Sequence, residues 1–115
     1  MKNGIKRFSP LTEATYYILL SLSTPLHGYG VIKNVEEISN GRLILAAGTL
    51  YGALSALLDN KLIISVGEDE INKRRKTYKM TDLGRELIYY EIKRMQEMVT
   101  NGIRDIGGEL WKNLW

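Results

Sequence analysis

The chain has 115 residues and a formal net charge of +3, with 44% hydrophobic and 25% charged residues. This composition is typical of a folded globular protein and excludes a disordered one, and the length favours a single domain. The chain has no cysteine, which excludes disulfides, thiolate metal sites and cysteine nucleophiles and fits a reducing, cytoplasmic compartment. No apolar run approaches the roughly 20 residues of a membrane-spanning helix, so no contact with a membrane is predicted.

Positive charge is concentrated in two short zones of the chain. Residues 1–10 and residues 61–80 each carry a net charge of +3, whereas the segments between and after them are slightly acidic. A focused distribution of this kind predicts contact with a polyanion better than an evenly basic surface does.

The first predicted helix begins at Ser9-Pro10 or at Thr12. Proline is tolerated at the first helical position, and threonine caps helices well. The helix is expected to end near Ser23, because Pro25 cannot continue it.

A second helix is predicted from about Gly28 to Asn40-Gly41, where glycine accepts the left-handed conformation of a helix end. Its apolar positions, which we expect to be buried, are Val31, Ile32, Val35 and Ile38. Residues 43–45 are too few for a helix and predict a short strand or an extended connector.

Residues 46–58, which read AAGTLYGALSALL, predict an uncharged helix with two different faces. Leucines recur at the spacing of one helical stripe and are predicted to lie in the core; they are Leu50, Leu54, Leu57 and Leu58. The other face is small and hydroxyl-bearing, and consists of Gly48, Thr49, Tyr51, Gly52 and Ser55. A face that contacts only solvent would more usually carry Glu and Lys, which are good helix formers. Glycine is a poor choice there, since each glycine costs a helix about 1 kcal/mol relative to alanine. Small residues permit close approach and hydroxyls bind phosphates or base edges, so we expect this face to contact DNA; simple solvent exposure is the alternative.

Two strands are predicted at residues 62–68 and 76–80, with a charged loop between them. Four consecutive cations stand where the loop meets the second strand: Lys73, Arg74, Arg75 and Lys76. A wing lying on DNA phosphates would use these charges. The alternative is a solvated hairpin whose charged edge prevents aggregation.

A last helix is predicted to begin at Thr81-Asp82. Apolar residues along it follow a nearly heptad spacing and predict a dimer interface formed by Ile88, Ile92, Met95, Val99, Ile106 and Leu110. Asn101-Gly102 and Gly107-Gly108 are predicted to break or bend this helix. Four residues either pack the interface or line a pocket for a small aromatic effector, namely Met95, Met98, Trp111 and Trp115.

No set of residues predicts catalysis or a bound cofactor. His27 is the single histidine, and its place in a turn favours a structural hydrogen bond, since no cysteine or second histidine completes a metal site. Gly28-Tyr29-Gly30 fails as a dinucleotide-binding motif, because Lys33 stands where a third glycine is needed. The sequence therefore predicts neither an enzyme nor a metal or cofactor site.

These elements together predict a mainly α (α+β) protein with a winged helix-turn-helix and a long C-terminal helix. Residues 1–80 would form the DNA-binding domain, and residues 81–115 the C-terminal dimerisation helix.

Four segments resemble, in the same order, the PadR family of bacterial winged-helix transcriptional regulators. They read LTEATYYILLSL, PLHGYGVIKNVEE, GTLYGALSALLDNKLI and RRKTYKMTDLGREL, and they cover residues 11 to about 88. The single trailing helix is similar to that of the smaller PadR subfamily. One departure is Ala46-Ala47, which stands where the family often has Ser-Pro and leaves the following helix without a side-chain cap.

The resemblance implies a homodimer that binds double-stranded DNA, usually as a repressor, with a recognition helix that begins at residues 48–51. It also implies that the wing carries Arg74, Arg75 and Lys76. Tyrosines of the first helix and of HGY commonly approach the DNA backbone, and the equivalents here are Tyr16, Tyr17 and Tyr29. Some members release DNA when they bind phenolic acids or planar drugs, which makes a small aromatic effector an expectation for this chain.

The leading hypothesis is a cytoplasmic dimeric repressor on a pseudo-palindromic operator, with residues 47–60 in each major groove and the wing beside it. A winged-helix module that binds a protein partner is one alternative. The other is a sensor that uses a cavity in the dimer interface.

Overall fold

Each predicted helix and strand is present, and two short elements add to them. A computed structural model describes residues 2–68, 75–107 and 112–113. In chain order the elements are α1 (Lys2–Lys6), α2 (Glu13–Ser21), β1 (Leu26–His27), α3 (Gly28–Ile38), α4 (Ala47–Asp59), β2 (Ile63–Glu68), β3 (Lys76–Met80) and α5 (Asp82–Ile106). The fold is a winged helix-turn-helix in which α3 and α4 form the helix pair, β2 and β3 the wing, and α5 the long C-terminal helix.

Threonine caps define the starts of α2 and α5. The Thr12 side chain accepts a hydrogen bond from the Thr15 backbone N–H at 3.1 Å. At the start of α5, Thr81 accepts in the same way from the Gly84 N–H at 3.1 Å. Each threonine satisfies an N–H that has no partner within its own helix. Both predicted helix starts are confirmed.

The turn predicted at Asn40-Gly41 is present, and it comes directly after the end of α3. Both residues have positive φ, 55° and 77°, and the Gly41 N–H donates to the Glu36 carbonyl oxygen at 2.8 Å. Residues 43–46 continue without helix or strand, so the extended connector is the correct alternative. The prediction that Ile38 is buried is wrong: it is 42% exposed, because α3 ends there and the chain turns away.

The sheet has the order β1-β3-β2, and both pairings are antiparallel. Leu26 pairs with Tyr78 and Ile63 with Met80, so β3 joins the start of the helix-turn-helix to the wing. The two-residue strand β1 was not predicted, because a strand this short has no alternating pattern to read.

One hydrophobic core lies between the helices and the inner face of the sheet. Its fully buried members include Ile18, Leu19, Leu22, Val31, Val35, Leu50, Leu54, Leu62, Ile63 and Leu87. The last of these belongs to α5, so the first turns of the C-terminal helix are part of the same core as the winged helix. The boundary between residues 80 and 81 therefore does not separate two cores, and its meaning as a domain boundary stays a prediction.

Helix α5 contacts the turn between α4 and β2 at Gly84. A Cβ atom at this glycine would lie 2.2 Å from the Leu62 carbonyl oxygen and 3.0 Å from Met80 Cγ. Because the nearest neighbour is backbone, it cannot move aside as a side-chain end would. Only glycine allows α5 to lie this close to the wing.

Helix α5 continues through the position where a break was predicted. Asn101-Gly102 lies within the helix, which ends instead at Gly107, where φ is 85°. At 25 residues α5 is about 37 Å long. Its outer half extends past the core, since Met98, Val99 and Ile106 are all more than half exposed.

A buried carboxylate on α5 holds the segment that links α1 to α2. Glu91 is only 1% exposed, and it accepts hydrogen bonds from Ser9 Oγ at 2.6 Å and from the Leu11 N–H at 2.7 Å. Arg94, one turn further along α5, donates to both carboxylate oxygens at 2.8 and 3.0 Å. Helix α1 packs on α5 next to this cluster through the buried Ile5.

The ionised form of Glu91 is strongly favoured in the folded chain. Burial alone would raise the pKa of Glu91, but the hydrogen bonds from Arg94, Ser9 and Leu11 outweigh it and lower the pKa from 4.5 to about 2. A tenfold change in proton affinity corresponds to about 1.4 kcal/mol, so this lowering represents about 3 kcal/mol of stability at neutral pH.

We expect Glu91→Gln to lower the free energy of unfolding at pH 7 by about 2–3 kcal/mol, because an amide loses the charge-assisted hydrogen bonds. The folded-state pKa lies below the unfolded one, so the wild-type advantage is complete above pH 4.5 and disappears as the pH falls towards 2. Urea unfolding of both proteins between pH 2.5 and 7 measures this difference. Glu37→Gln, on the exposed surface of α3, is the control. A constant gap between wild type and Glu91→Gln over this range would contradict the assignment.

Candidate nucleic-acid interface

Helix α4 presents the two faces that its sequence predicts. Leu50, Leu54 and Leu57 are buried and Leu58 is half-buried, whereas the opposite face is exposed along its whole length. The exposed face consists of Gly48, Thr49, Tyr51, Gly52 and Ser55. The N-cap residue Ala46 makes no side-chain hydrogen bond to the helix, as expected from its methyl side chain.

The glycines of α4 are not required by packing within the chain. A Cβ atom at Gly48 or at Gly52 would meet nothing within 4 Å. Their absent side chains instead leave the helix backbone open to an approaching molecule.

The side chain of Tyr51 extends from the exposed face of α4 and lies against the start of α3. A Cβ atom at Gly28 would stand 2.6 Å from the Tyr51 hydroxyl oxygen, so the phenol occupies the space that a side chain would need. The ring remains 54% exposed. Gly28 therefore positions a half-exposed tyrosine between the two helices of the helix-turn-helix.

His27 connects the start of α3 with the start of β3. Its Nδ1 accepts a hydrogen bond from the Gly30 N–H at 2.9 Å and thereby caps α3. Its Nε2 lies 2.7 Å from Arg75 Nη1, next to the pairing of His27 with Thr77 in the sheet. The predicted structural role of this histidine is confirmed.

These groups surround an open cleft of about 330 Å³. Its lining consists of His27, Gly28, Tyr29, Tyr51, Arg75, Lys76 and Tyr78. Two side chains in this set are cations and none is a carboxylate. Burial raises the pKa of the Tyr78 phenol, and the neighbouring Tyr51 adds to the effect, so the Tyr78 hydroxyl stays protonated. The cleft thus offers positive charge and hydroxyl donors, which are the groups that bind phosphate oxygens.

The sequence-predicted DNA-binding residues fall into three groups. Tyr29, Tyr51, Arg75 and Lys76 meet at the cleft, and the remaining residues of the α4 face lie exposed beside it. Tyr16 and Tyr17 do not line the cleft. Both are half-buried on α2, and their ring centroids are 5.7 Å apart. Lys73 and Arg74 lie outside the described residues.

The electrostatic neighbours of Tyr16 indicate a packing role. Burial raises its pKa, and the nearby Tyr17 and Glu91 act in the same direction. Tyr16 is therefore close to the buried carboxylate of α5, which a phosphate would not approach. The prediction that Tyr16 contacts DNA has no support from this position.

Sequence reasoning missed Gly28 and Tyr78 as parts of the cleft. The only signal for Gly28 was its residue type, since glycine is used where the backbone is approached closely. Tyr78 gave no such signal, since alternation within β3 shows only that its side chain points inward.

The predicted dimer residues of α5 differ in their surroundings. Ile88 is 4% exposed and packs in the core of its own chain, so it is not available to a partner. Ile92 and Met95 are half-buried, and Val99 and Ile106 are exposed. Leu110 lies outside the described residues, as do Trp111 and Trp115 of the predicted effector pocket. Met98 is exposed, with its sulfur 3.1 Å from Arg94 Nη1, and the pocket stays a prediction.

Two further observations concern metals and membranes. The parts of the chain that the structure describes contain no group of three or more His, Cys, Asp or Glu that could hold a metal ion. In the same parts, no helix is both long enough and apolar enough to cross a membrane.

Comparison with known proteins identifies the relatives of this architecture. The sequence model of the transcriptional regulator PadR-like family matches residues 18–90. A 37.1 kDa protein in transposon TN4556 of Streptomyces fradiae is 33% identical over 87 residues, which are 75% of this chain but only 24% of that protein. The chain therefore spans about a quarter of the length of this relative.

Solved structures share the fold at lower sequence identity. A PadR family transcription regulator from Clostridium difficile R20291 has a TM-score of 0.67 at 23% identity, over 83% of this chain and 98% of that one. A transcriptional regulator from Clostridium thermocellum has a TM-score of 0.59 at 24% identity, over 90% of this chain and 95% of that one.

We expect His27→Ala to lower the free energy of unfolding by about 1 kcal/mol, because the Gly30 N–H loses its acceptor. His27→Asn is the matched variant, since the asparagine side-chain oxygen can accept the same hydrogen bond and should restore most of the loss. Urea unfolding at pH 7.5 measures both. Equal destabilisation by the two substitutions would show that the cap is not what His27 contributes.

Proposed function

Since the chain belongs to the PadR-like family of transcriptional regulators, we propose that it represses transcription by binding a pseudo-palindromic operator as a cytoplasmic homodimer. The observation that carries the proposal is the cleft at which α3, α4 and β3 meet, lined by Arg75, Lys76 and tyrosine hydroxyls and flanked by the uncharged face of α4.

The division of charge between the two surfaces supports a duplex as the ligand. Cations beside a helix neutralise phosphates and release counterions, which gives affinity without regard to sequence. An uncharged helix face with hydroxyls and glycines can approach base edges closely, where sequence is read. The proposed function thus combines affinity and sequence reading on one surface.

The geometry of the helix pair favours α4 as the recognition helix. In a helix-turn-helix the second helix lies in the major groove, and its N-terminal residues contact the bases. Gly48, Thr49 and Gly52 occupy the first turns of α4, and all three are exposed. Two copies related by a two-fold axis would then read half-sites about 10 base pairs apart, or a multiple of this distance.

The homodimer is supported by the outer half of α5. Val99 and Ile106 are 56% and 51% exposed, and no core of their own chain covers them. An apolar surface on a projecting helix is expected to be covered by another chain. A second copy provides the two-fold symmetry that a palindromic operator requires.

We expect Arg75→Ala and Lys76→Ala each to weaken binding to all duplexes and to flatten the dependence of affinity on salt. Each lost phosphate contact should reduce the slope of log K against log salt by about 1. Electrophoretic shifts with the region upstream of the gene and with random duplex, across a salt series, measure this. Lys61→Ala, which removes an exposed cation at the far end of α4, is the control. Unchanged binding to random duplex by both cleft variants would argue against DNA as the partner and favour a protein ligand.

We expect Thr49→Ala to weaken operator binding by about 1–3 kcal/mol while leaving random duplex almost unaffected, because base contacts carry the specificity. The operator is first obtained by genome-wide recovery of bound fragments, and affinities are then measured by fluorescence anisotropy. Ser23→Ala, which removes an exposed hydroxyl outside α4, serves as the control. An equal loss on operator and random DNA would mean that Thr49 contacts only the backbone.

A further inference from the structure

The imidazole ring of His27 is held in place from several sides. The backbone of His27 pairs with Thr77 in the sheet, and its Nδ1 accepts a hydrogen bond from the Gly30 N–H at 2.9 Å. A Cβ atom at Gly30 would stand 3.3 Å from His27 Cε1 and Nδ1, so the glycine leaves room for the ring. The ring of Tyr29 lies beside it, with centroids 6.4 Å apart. These contacts fix the position of the second ring nitrogen, Nε2.

The cap on α3 determines which nitrogen of His27 carries the proton. A ring nitrogen that accepts a hydrogen bond has no hydrogen of its own, and the imidazole then carries its proton on the other nitrogen. Because Nδ1 accepts from the Gly30 N–H, Nε2 is the nitrogen with the hydrogen. His27 therefore contributes an N–H donor to the lining of the cleft.

Arg75 brings a second donor to the same place. Its Nη1 lies 2.7 Å from His27 Nε2, and a guanidinium has N–H donors but no acceptor. While the cap is in place, this contact joins two donors and is not a hydrogen bond between the two side chains. Both residues have further interactions within the chain, so neither depends on this contact for a partner. An acceptor that lies against both nitrogens would make the contact favourable.

The other tautomer of His27 satisfies Arg75 at the expense of the helix. With the proton on Nδ1, the Nε2 atom could accept from Arg75, but Nδ1 and the Gly30 N–H would then be two donors facing each other. One tautomer thus satisfies the cap and the other satisfies the contact with Arg75. An added acceptor between Nε2 and Arg75 allows both to be satisfied at once.

The groups around this pair favour an anionic acceptor. Lys76 adds a cation to the cleft, Tyr51 and Tyr78 add hydroxyls, and none of the described lining residues is an acid. Hydrogen bonds to an ionised oxygen are stronger than those to a neutral one. In protein–DNA complexes most hydrogen bonds go to phosphate and sugar, and neutral donors take part in them beside arginine and lysine. A phosphate oxygen of a duplex is the acceptor that suits these surroundings.

We propose that His27 is a phosphate-binding residue, which donates its Nε2–H to the same backbone phosphate that Arg75 binds. The inference rests on the proposed function and adds one neutral contact to it. The two nitrogens of His27 then have separate roles. Nδ1 holds the start of α3, and Nε2 binds the phosphate.

Salt dependence distinguishes this contact from those of the cations. A neutral donor displaces no counterion, so its loss lowers the affinity by the same factor at every salt concentration. We expect His27→Asn to weaken binding to operator and to random duplex about tenfold, with an unchanged slope of log K against log salt. Arg75→Ala, in contrast, should reduce that slope by about 1.

Two amide side chains separate the roles of the two nitrogens. Asparagine places its oxygen near the position of Nδ1 and keeps the cap, but it has no group at the position of Nε2. Glutamine reaches the position of Nε2 with an N–H donor but does not supply the cap. We expect His27→Gln to bind duplex within about threefold of wild type while unfolding at lower urea concentration, and His27→Asn to show the opposite pattern. Fluorescence anisotropy and urea unfolding measure the two properties.

Nitrogen NMR gives a readout that a purely structural role would not change. His27 is the only histidine of the chain, so the signals of its ring nitrogens need no further assignment. At pH 7.5 we expect Nε2 to carry the proton in the protein alone, and duplex to shift the Nε2 signal while Nδ1 stays unprotonated. Inorganic phosphate at the same ionic strength, added without duplex, is the control and should leave both signals in place.

Three results would overturn the inference and leave the proposed function intact. They are duplex binding by His27→Asn equal to that of wild type, a proton on Nδ1 in the protein alone, and an Nε2 signal that duplex leaves unchanged. An equal shift with inorganic phosphate would also overturn it, because the cleft would then bind a free anion. A wild type that binds no duplex at any salt concentration would instead overturn the proposed function itself.

Discussion

The ion cluster at Glu91 holds the two ends of the chain together. One buried carboxylate binds Ser9 and Leu11, which precede the winged helix, and Arg94, which lies beyond it on α5. The cluster fixes the segment that follows α1, whose buried Ile5 packs on α5, and a five-residue helix is not stable by itself. The ionised Glu91 thus fixes the segment between α1 and α2 on α5. A single buried charge therefore joins the segment before the winged helix to the helix that follows it.

The cleft depends on a different constraint, which is that three elements separated in the sequence must meet. β1 pairs with β3 although about fifty residues separate them, and His27 both caps α3 and contacts Arg75. The cations at the start of β3 are thus fixed relative to the helix-turn-helix. In the proposed function, the cations that bind phosphate and the helix that reads the bases are held together before DNA arrives, so fewer groups have to be ordered on binding.

The sequence was sufficient for local features and insufficient for those that require distant partners. Threonine caps, the turn at Asn40-Gly41 and the leucine stripe of α4 have signals within one or two helical turns, and each was predicted correctly. The role of Glu91 could not be predicted, because its partners lie about 80 positions away. Ile88 was wrongly assigned to the dimer interface for a related reason. Periodicity shows that a residue faces apolar side chains, but it does not show whether these belong to the same chain or to a partner.

The contact at Gly84 has a mechanical consequence. The backbone of α5 rests directly on the Leu62 carbonyl oxygen, with no side chain between them that could change rotamer and absorb a displacement. Leu62 follows the end of α4 and precedes β2, so α4 and the wing share this support. A tilt of α5 would therefore be transmitted together to α4 and the wing, the two elements proposed to contact DNA. In a dimer joined through α5, the spacing of the two recognition helices is then set by the angle at which the two C-terminal helices cross.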